Sequence, residues 1–172
     1  MEVLAVQAAD LAGKAPKPWL LGNAAWLLLH TCPYAVESLD VAAGDAHEDA
    51  ARFARDYAAL VRALVATYPC AACRRHGVTA LEPAIAALEA AAAAVRPGDA
   101  RAAVADMLAM HAMRLHNQVR RSQVERAETD EDEELMALHH EAMLVLERAL
   151  DQGAVQGREV AQALRSRWAP FR

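Results

Sequence analysis

The chain passes from one predicted helix to the next through the stretch Tyr68-Pro69-Cys70-Ala71-Ala72-Cys73-Arg74-Arg75-His76. Pro69 suits the first turn of a helix, because the N–H that proline lacks would have no intrahelical acceptor there. Cys70 is therefore predicted to lie beside the free N–H groups and positive dipole end of a helix, which favour thiolate over thiol. This arrangement is typical of a reactive dithiol. A pair of buried core cysteines, or half of a zinc site, are the alternatives.

The composition indicates a single helical domain. The 172 residues are 55% hydrophobic and 24% charged, which excludes a disordered chain. Alanine dominates, while glycine, proline and β-branched residues are sparse, so nearly all of the chain is expected to be helix. A net charge of -5 gives no reason to expect a nucleic acid partner. Three cysteines are too few for a disulfide-stapled secreted scaffold.

No targeting or membrane segment is recognised. The start of the chain, residues 1–7, carries an acid where a signal peptide would carry basic residues. The longest apolar runs, residues 19–29 and 84–95, are interrupted by Asn23 and Glu89 and are too short to span a bilayer. We therefore expect a soluble protein without a membrane partner. The cytoplasm and the mitochondrial intermembrane space are both compatible with this.

Apolar periodicity and breaking residues divide the chain into helices. Pro33 stops the first helix and opens a loop to residue 45, and Glu82-Pro83 breaks the third. The alanine-rich fourth helix is expected to pack on the outside as a spacer. A turn over residues 96–99 precedes the fifth, with Asp99 as its N-cap. The predicted helices are Trp19–Thr31, Ala46–Thr67, Pro69–Leu81, Ala84–Val95, Ala100–Ala127 and Glu131–Gln152.

Two helix faces carry side chains that are unusual for an ordinary core. The first helix aligns two indoles, a glycine and an imidazole on one stripe, which suits a flat aromatic guest. Two core tryptophans beside a hydrogen-bonded histidine are the alternative. The fifth helix carries a row of alanines that ends in two polar residues, which predicts either a groove or close helix packing. The two sets are Trp19, Gly22, Trp26 and His30, and Ala105, Ala109, Ala112, His116 and Asn117.

The C-terminal part of the chain changes character. Residues 128–134 form an acidic run, which is usually a solvated linker or helix start. The helix that follows has a regular apolar line, so something must cover it. Either the helix folds back on its own bundle or it packs against a partner chain. We expect it to dock on the body that the chain and its partner form, with the acidic run left in solvent. The line consists of Leu135, Leu138, Ala142, Val145/Leu146 and Ala149.

Three separated stretches carry a resemblance to a known family. They are Gly22-Asn23-Ala24-Ala25-Trp26-Leu27-Leu28-Leu29-His30, then Tyr68 to His76, then His116-Asn117-Gln118-Val119. In that order they resemble the motifs G-x-x-x-W-x-x-x-H, Y-P-C-x-x-C-x-x-H and H-N-x-V-N of the Erv/ALR family of FAD-linked sulfhydryl oxidases. The resemblance covers about residues 19–121.

The resemblance implies an all-α fold, namely a four-helix bundle of Erv/ALR type that binds FAD. Residues 1–127 would form the oxidase bundle, and residues 128–172 an acidic linker and C-terminal helical extension. It further implies a homodimer and a thiol oxidase that forms disulfides in protein dithiol substrates. Electrons would pass to molecular oxygen and give hydrogen peroxide.

The resemblance also implies residue roles. Cys70 matches the outer cysteine that exchanges with substrate, and Cys73 matches the cysteine beside the flavin ring. These two would be the catalytic residues. The positions that match cofactor contacts are Gly22, Trp26, His30, Cys73, His76, His116, Asn117, Val119 and Arg120.

The chain departs from the family pattern at several positions. Asn23 stands where the family has an arginine, Arg120 where it has a second asparagine, and His111 where it has a tryptophan. No further CxxC motif exists, so substrate must reach Cys70 directly or through Cys32.

Two other functions remain open from the sequence. A zinc-binding helical protein would use the two cysteines of the CxxC and His76, with His111 or His116 as a further ligand. A non-catalytic interaction bundle would keep the fold and lack the chemistry. No metal is expected in the oxidase.

Overall fold

The computed structural model describes residues 18–39, 46–68, 71–124, 145, 147–153 and 155–168, and these contain helices and no strand. The predicted all-α class is confirmed for this part of the chain. The helices are α1 (Pro18–Thr31), a 3-10 helix (Cys32–Ser38), α2 (Ala46–Thr67), α3 (Ala71–Ala94), α4 (Arg101–Val124) and α5 (Gly157–Trp168). Residues 147–151 are also helical.

The loop predicted after Pro33 is wrong in its first half, where the chain forms the 3-10 helix. α1 ends at Thr31, whose hydroxyl donates to the carbonyl of Leu27 at 2.8 Å. Pro33 is compatible with the 3-10 helix, because an N–H in the first turn would have no hydrogen-bond acceptor within the helix. Pro33, Tyr34 and Val36 are buried, and the 3-10 helix packs along α4. This burial stabilises a segment whose local sequence indicates only a loop.

α2 has the bounds that the sequence predicts. Its buried side includes Ala50, Ala54, Tyr57 and Val61, which recur at the three- and four-residue spacing of one helix face. The Tyr57 hydroxyl donates to the carbonyl of Leu29 at 2.7 Å, which ties α2 to the end of α1. Burial raises the pKa of Tyr57, so this hydroxyl stays a donor at any physiological pH.

α3 is one continuous helix through Pro83, so the predicted break and the predicted outer spacer are both wrong. A single buried stripe runs along it on both sides of the proline, formed by Leu81, Ile85, Leu88 and Ala92. Pro83 itself is exposed. An interior proline costs about 3 kcal/mol, whereas burying one leucine or isoleucine contributes about 1.5–3 kcal/mol. The buried stripe therefore outweighs the local break signal.

Part of α3 is long and apolar enough, by length and composition, to cross a membrane. The segment is Gly77–Ala94, which is longer than the uninterrupted apolar run counted from the sequence. In the structure its apolar stripe packs into the core, and α3 lies against α2 and α4. Glu82 and Glu89 on this helix pair with Arg62 of α2, at 3.0 and 2.5 Å.

The turn before α4 differs in detail from its prediction. Gly98 has a φ of 102°, a conformation that glycine adopts without steric cost. The Asp99 carboxylate accepts from the backbone N–H of Arg96 at 2.7 Å. Asp99 therefore closes the turn behind it, and α4 begins at Arg101.

The alanine row of α4 lines no open groove, and close packing is the correct alternative. Ala105, Ala109 and Ala112 are all buried, at 0–1% exposure. On the neighbouring face of α4, the larger apolar side chains of Val104, Leu108 and Leu115 are buried as well. Small side chains allow neighbouring backbone to approach α4 closely, and the 3-10 helix packs along it.

The described part of the C-terminal extension packs on the body of the same chain. Val160 and Leu164 of α5 are buried in the core, and Arg165 pairs with Glu37 at 2.6 Å and Asp106 at 2.7 Å. Of the predicted alternatives Val145/Leu146 in the apolar line, Val145 is 53% exposed, and Leu146 lies outside the described residues. The acidic run and residues 135–144 lie outside the described residues, as do residues 1–17.

Candidate functional site

Two of the family-like stretches meet where Tyr68 approaches α1. A Cβ atom added to Gly22 would lie 3.2 Å from the Tyr68 hydroxyl oxygen, closer than ordinary van der Waals contact. The missing side chain therefore lets the tyrosine approach the helix. Tyr68 directly precedes Pro69-Cys70 in the chain. The entry to the CxxC thus lies one turn along α1 from Trp26.

The third stretch meets the first through stacked rings. The indole of Trp26 lies over the imidazole of His116, with 4.1 Å between ring centroids and 9° between ring planes. Trp26 is half-buried, whereas His116 is buried. Near-parallel rings at this separation are in favourable contact. Residues 90 positions apart in the chain thus form one flat aromatic surface.

A buried histidine pair completes this ring cluster. His30 Nε2 and His116 Nδ1 are 2.9 Å apart, so the N–H of one imidazole donates a hydrogen bond to the ring nitrogen of the other. His30 is only 1% exposed. Each ring therefore satisfies a buried nitrogen of the other, and the bond fixes both ring planes. The ring cluster, defined as Trp26, His30 and His116, joins α1 to α4.

Asn117 is fully buried beside the ring cluster and is held by a residue that the sequence analysis missed. Its side-chain N–H donates to Glu147 Oε2 at 2.8 Å, and Arg121 Nη1 donates to the same oxygen at 2.9 Å. Glu147 is 7% exposed. It is flanked by apolar positions of the predicted line, and no spacing in the sequence distinguishes it. Only its contact with α4 identifies it.

Arg120 and Val119 complete the predicted contacts on α4. Val119 is half-buried against the core. Arg120 is 5% exposed, and its Nη2 has no hydrogen-bond partner within the described residues. Burial lowers the pKa of this guanidinium. A cation buried without an anion is unfavourable, so this position is where an anionic group would be stabilised.

The dithiol is described only in part. Cys70 lies outside the described residues, as do the side chains of Cys73 and His76. The backbone at Cys73 belongs to the first turn of α3, which begins at Ala71. Arg74 Nη1 donates to the carbonyl of Tyr68 at 2.6 Å, so the guanidinium lies at the N-terminal end of α3.

The described residues fit a ligand with a flat ring and an anionic group, with one restriction. The half-buried indole, the Asn117 amide and the Arg120 guanidinium supply a stacking surface and polar contacts. Trp26 and His116 are in direct contact, however, so a flat ring would bind against the cluster and not between these two rings.

The zinc alternative gains no support from the described residues. Among their side chains, no group of three histidine, cysteine or acidic residues could hold a metal ion. His111 is half-buried, and burial together with the charge of Arg114 lowers its pKa. His116 already shares a ring nitrogen with His30. The side chains of Cys70 and Cys73 lie outside the described residues, so this finding does not apply to them.

Glu147→Ala is expected to destabilise the fold by about 1–3 kcal/mol, because it leaves the buried Asn117 amide without its acceptor. The measurement is the free energy of unfolding in urea. Asp151→Asn is the matched control: its ion pair with Arg114 is exposed and should contribute less than about 1 kcal/mol. Equal effects of the two substitutions would contradict the structural role of Glu147.

Cys32 is expected to be a slow thiol. It is half-buried, and burial raises its pKa, so it is protonated at neutral pH and only weakly nucleophilic. At pH 8, iodoacetamide should label Cys32 more slowly in the native protein than in urea, as followed by peptide mass spectrometry. Labelling at the rate of the unfolded chain would show that Cys32 is available as a relay.

Comparison with known proteins provides no name for the site. No protein-family model, curated protein or solved structure matches the chain. The features that indicate a function are therefore those of the chain itself: the approach of Tyr68 to Gly22, the ring cluster, and the buried polar residues of α4.

Proposed function

We propose that this protein is an FAD-dependent sulfhydryl oxidase of Erv/ALR type, in which helices α1–α4 form the four-helix bundle and two copies form a homodimer. The observation that carries the proposal is the convergence of three distant stretches. Gly22 contacts Tyr68 at the entry to the CxxC, and Trp26 stacks on His116. An ordinary core does not require that an indole and a histidine pair lie beside the tyrosine that leads into a CxxC.

Packing among the helices supports the bundle. α3 packs against α2 and α4, and α1 packs against α4. The ring cluster joins α1 to α4, while Tyr57 joins α2 to α1. The candidate ligand contacts thus come from elements that are held to each other by buried hydrogen bonds.

The proposed reaction begins at Cys70. A substrate thiolate attacks Sγ of Cys70 in the oxidised pair, which forms a mixed disulfide and releases Cys73 as a thiolate. A second substrate thiolate then displaces Cys70, so the substrate leaves with a disulfide and the pair is reduced by two electrons. The N-terminus of α3 and Arg74 favour the thiolate form of both cysteines.

FAD, when bound, supplies the two-electron acceptor for the reduced pair and passes the electrons to O2, so that two thiols and one O2 give one disulfide and one hydrogen peroxide. His30, His116 and Asn117 hold Trp26 and the surrounding polar groups in fixed positions for that cofactor. The substrates of the proposed enzyme are protein dithiols and molecular oxygen.

Purified full-length protein should oxidise dithiothreitol with uptake of oxygen. Cys70→Ser and Cys73→Ser should each abolish turnover, because a lone cysteine cannot accept two electrons as an intramolecular disulfide. Cys32→Ser is the matched control and should keep most of the activity, since that thiol is half-buried and protonated. The measurement is oxygen consumption with an electrode. Full turnover in either CxxC variant would rule out the proposed reaction.

A further inference from the structure

Arg120 is the feature of the candidate site whose chemistry is incomplete. Its side chain is 5% exposed, and none of the ion pairs in the described part of the chain includes it. Its Nη2 also has no hydrogen-bond acceptor there. A guanidinium remains charged in proteins and offers five N–H donors. Burying it without an anion is unfavourable, so an anion is expected beside it.

Glu147, the buried carboxylate that contacts α4 at Asn117 and Arg121, forms no ion pair with Arg120. Glu147 Oε2 already accepts from Asn117 and from Arg121, at 2.8 and 2.9 Å. Glu147 therefore pairs with Arg121, and no carboxylate among the described residues pairs with Arg120.

The position of Arg120 indicates what kind of ligand would bring the anion. It follows His116 by four residues on α4, so the two side chains lie on the same face about one helical turn apart. A ligand with a flat ring against the ring cluster and an anion about 6 Å farther along the helix would contact both. A planar guanidinium fork matches the oxygens of a phosphate group.

We propose that Arg120 binds the phosphate of the ligand whose flat ring contacts Trp26 and His116. This deepens the proposed function, in which the ligand is FAD and the anion is its diphosphate. Arg120 is then a specificity-determining residue: it distinguishes a flavin nucleotide from riboflavin, which has the same ring and no phosphate.

The first test uses the apo form of the full-length protein and measures binding of inorganic pyrophosphate, ADP, FAD and riboflavin by calorimetry. Arg120→Met should weaken pyrophosphate, ADP and FAD by about ten- to hundredfold, the factor expected for one charge-assisted hydrogen-bonded contact. Riboflavin should change less than about threefold, because it lacks the anion. Arg120→Lys should recover part of the loss. Arg121→Met is the matched control, since that arginine is engaged by Glu147.

The second test is thermal stability without ligand. Arg120→Met should raise the melting temperature of the apo protein, because it removes a buried charge that has no ion-pair partner among the described residues. Pyrophosphate should raise the melting temperature of the wild type and not of this variant. A variant that is less stable, with no pyrophosphate effect in the wild type, would show that Arg120 has a partner within the chain and would overturn the proposal.

The two tests separate this inference from the flavin assignment. Binding of pyrophosphate and ADP that depends on Arg120, without binding of FAD or riboflavin, would support the phosphate site and reject the flavin. Equal loss of riboflavin and FAD in Arg120→Met would overturn the phosphate role while leaving the flavin in place.

Discussion

The hydrogen bond between His30 and His116 is the constraint on which the candidate site depends. It joins α1 to α4 in the buried interior, at 2.9 Å between ring nitrogens. Both rings are buried, so loss of this hydrogen bond is expected to cost about 1–3 kcal/mol. Because the bond fixes the His116 ring plane, it also fixes the surface on which Trp26 stacks. The relative placement of the two helices and the shape of the aromatic surface thus have one cause.

The rest of α4 is consistent with this constraint. Its alanines bring neighbouring backbone close, and its polar residues gather at the end where the ring cluster lies. Asn117, Arg120 and Arg121 follow His116 within five positions; Asn117 and Arg121 donate to Glu147, whereas Arg120 has no ion pair among the described residues. A core built for stability alone would bury apolar residues here. The excess of donors and positive charge is what a site for an anionic, hydrogen-bonding ligand requires.

Local signals in the sequence predicted much of the fold. Apolar periodicity predicted the bounds of α1 and α2 closely, and Pro33 marked the end of α1. In both helices the signals that end the helix agree with the extent of its buried face. The same reasoning failed at Pro83, where the break signal is local but the stripe of Leu81, Ile85 and Leu88 continues across it. The 3-10 helix was missed for a related reason, since its stability comes from packing on α4.

The candidate site, like the fold, could be predicted only where local sequence signals identify the residues. Trp26, His30, His116 and Asn117 could be singled out from the motifs, and the structure brings them together. Glu147 could not be singled out from the sequence. The spacing of an acidic residue next to an apolar line is the same whether its side chain faces solvent or a buried amide. The burial of Arg120 was equally hidden, since nothing in the spacing of α4 shows which side is covered.

The most direct test of the central claim is the visible absorption spectrum of the purified full-length protein, taken after incubation with FAD and removal of free cofactor. We expect a yellow protein that releases FAD on denaturation, one per chain, and that is bleached by dithiothreitol in the absence of oxygen. A well-folded protein that stays colourless after this treatment would contradict it.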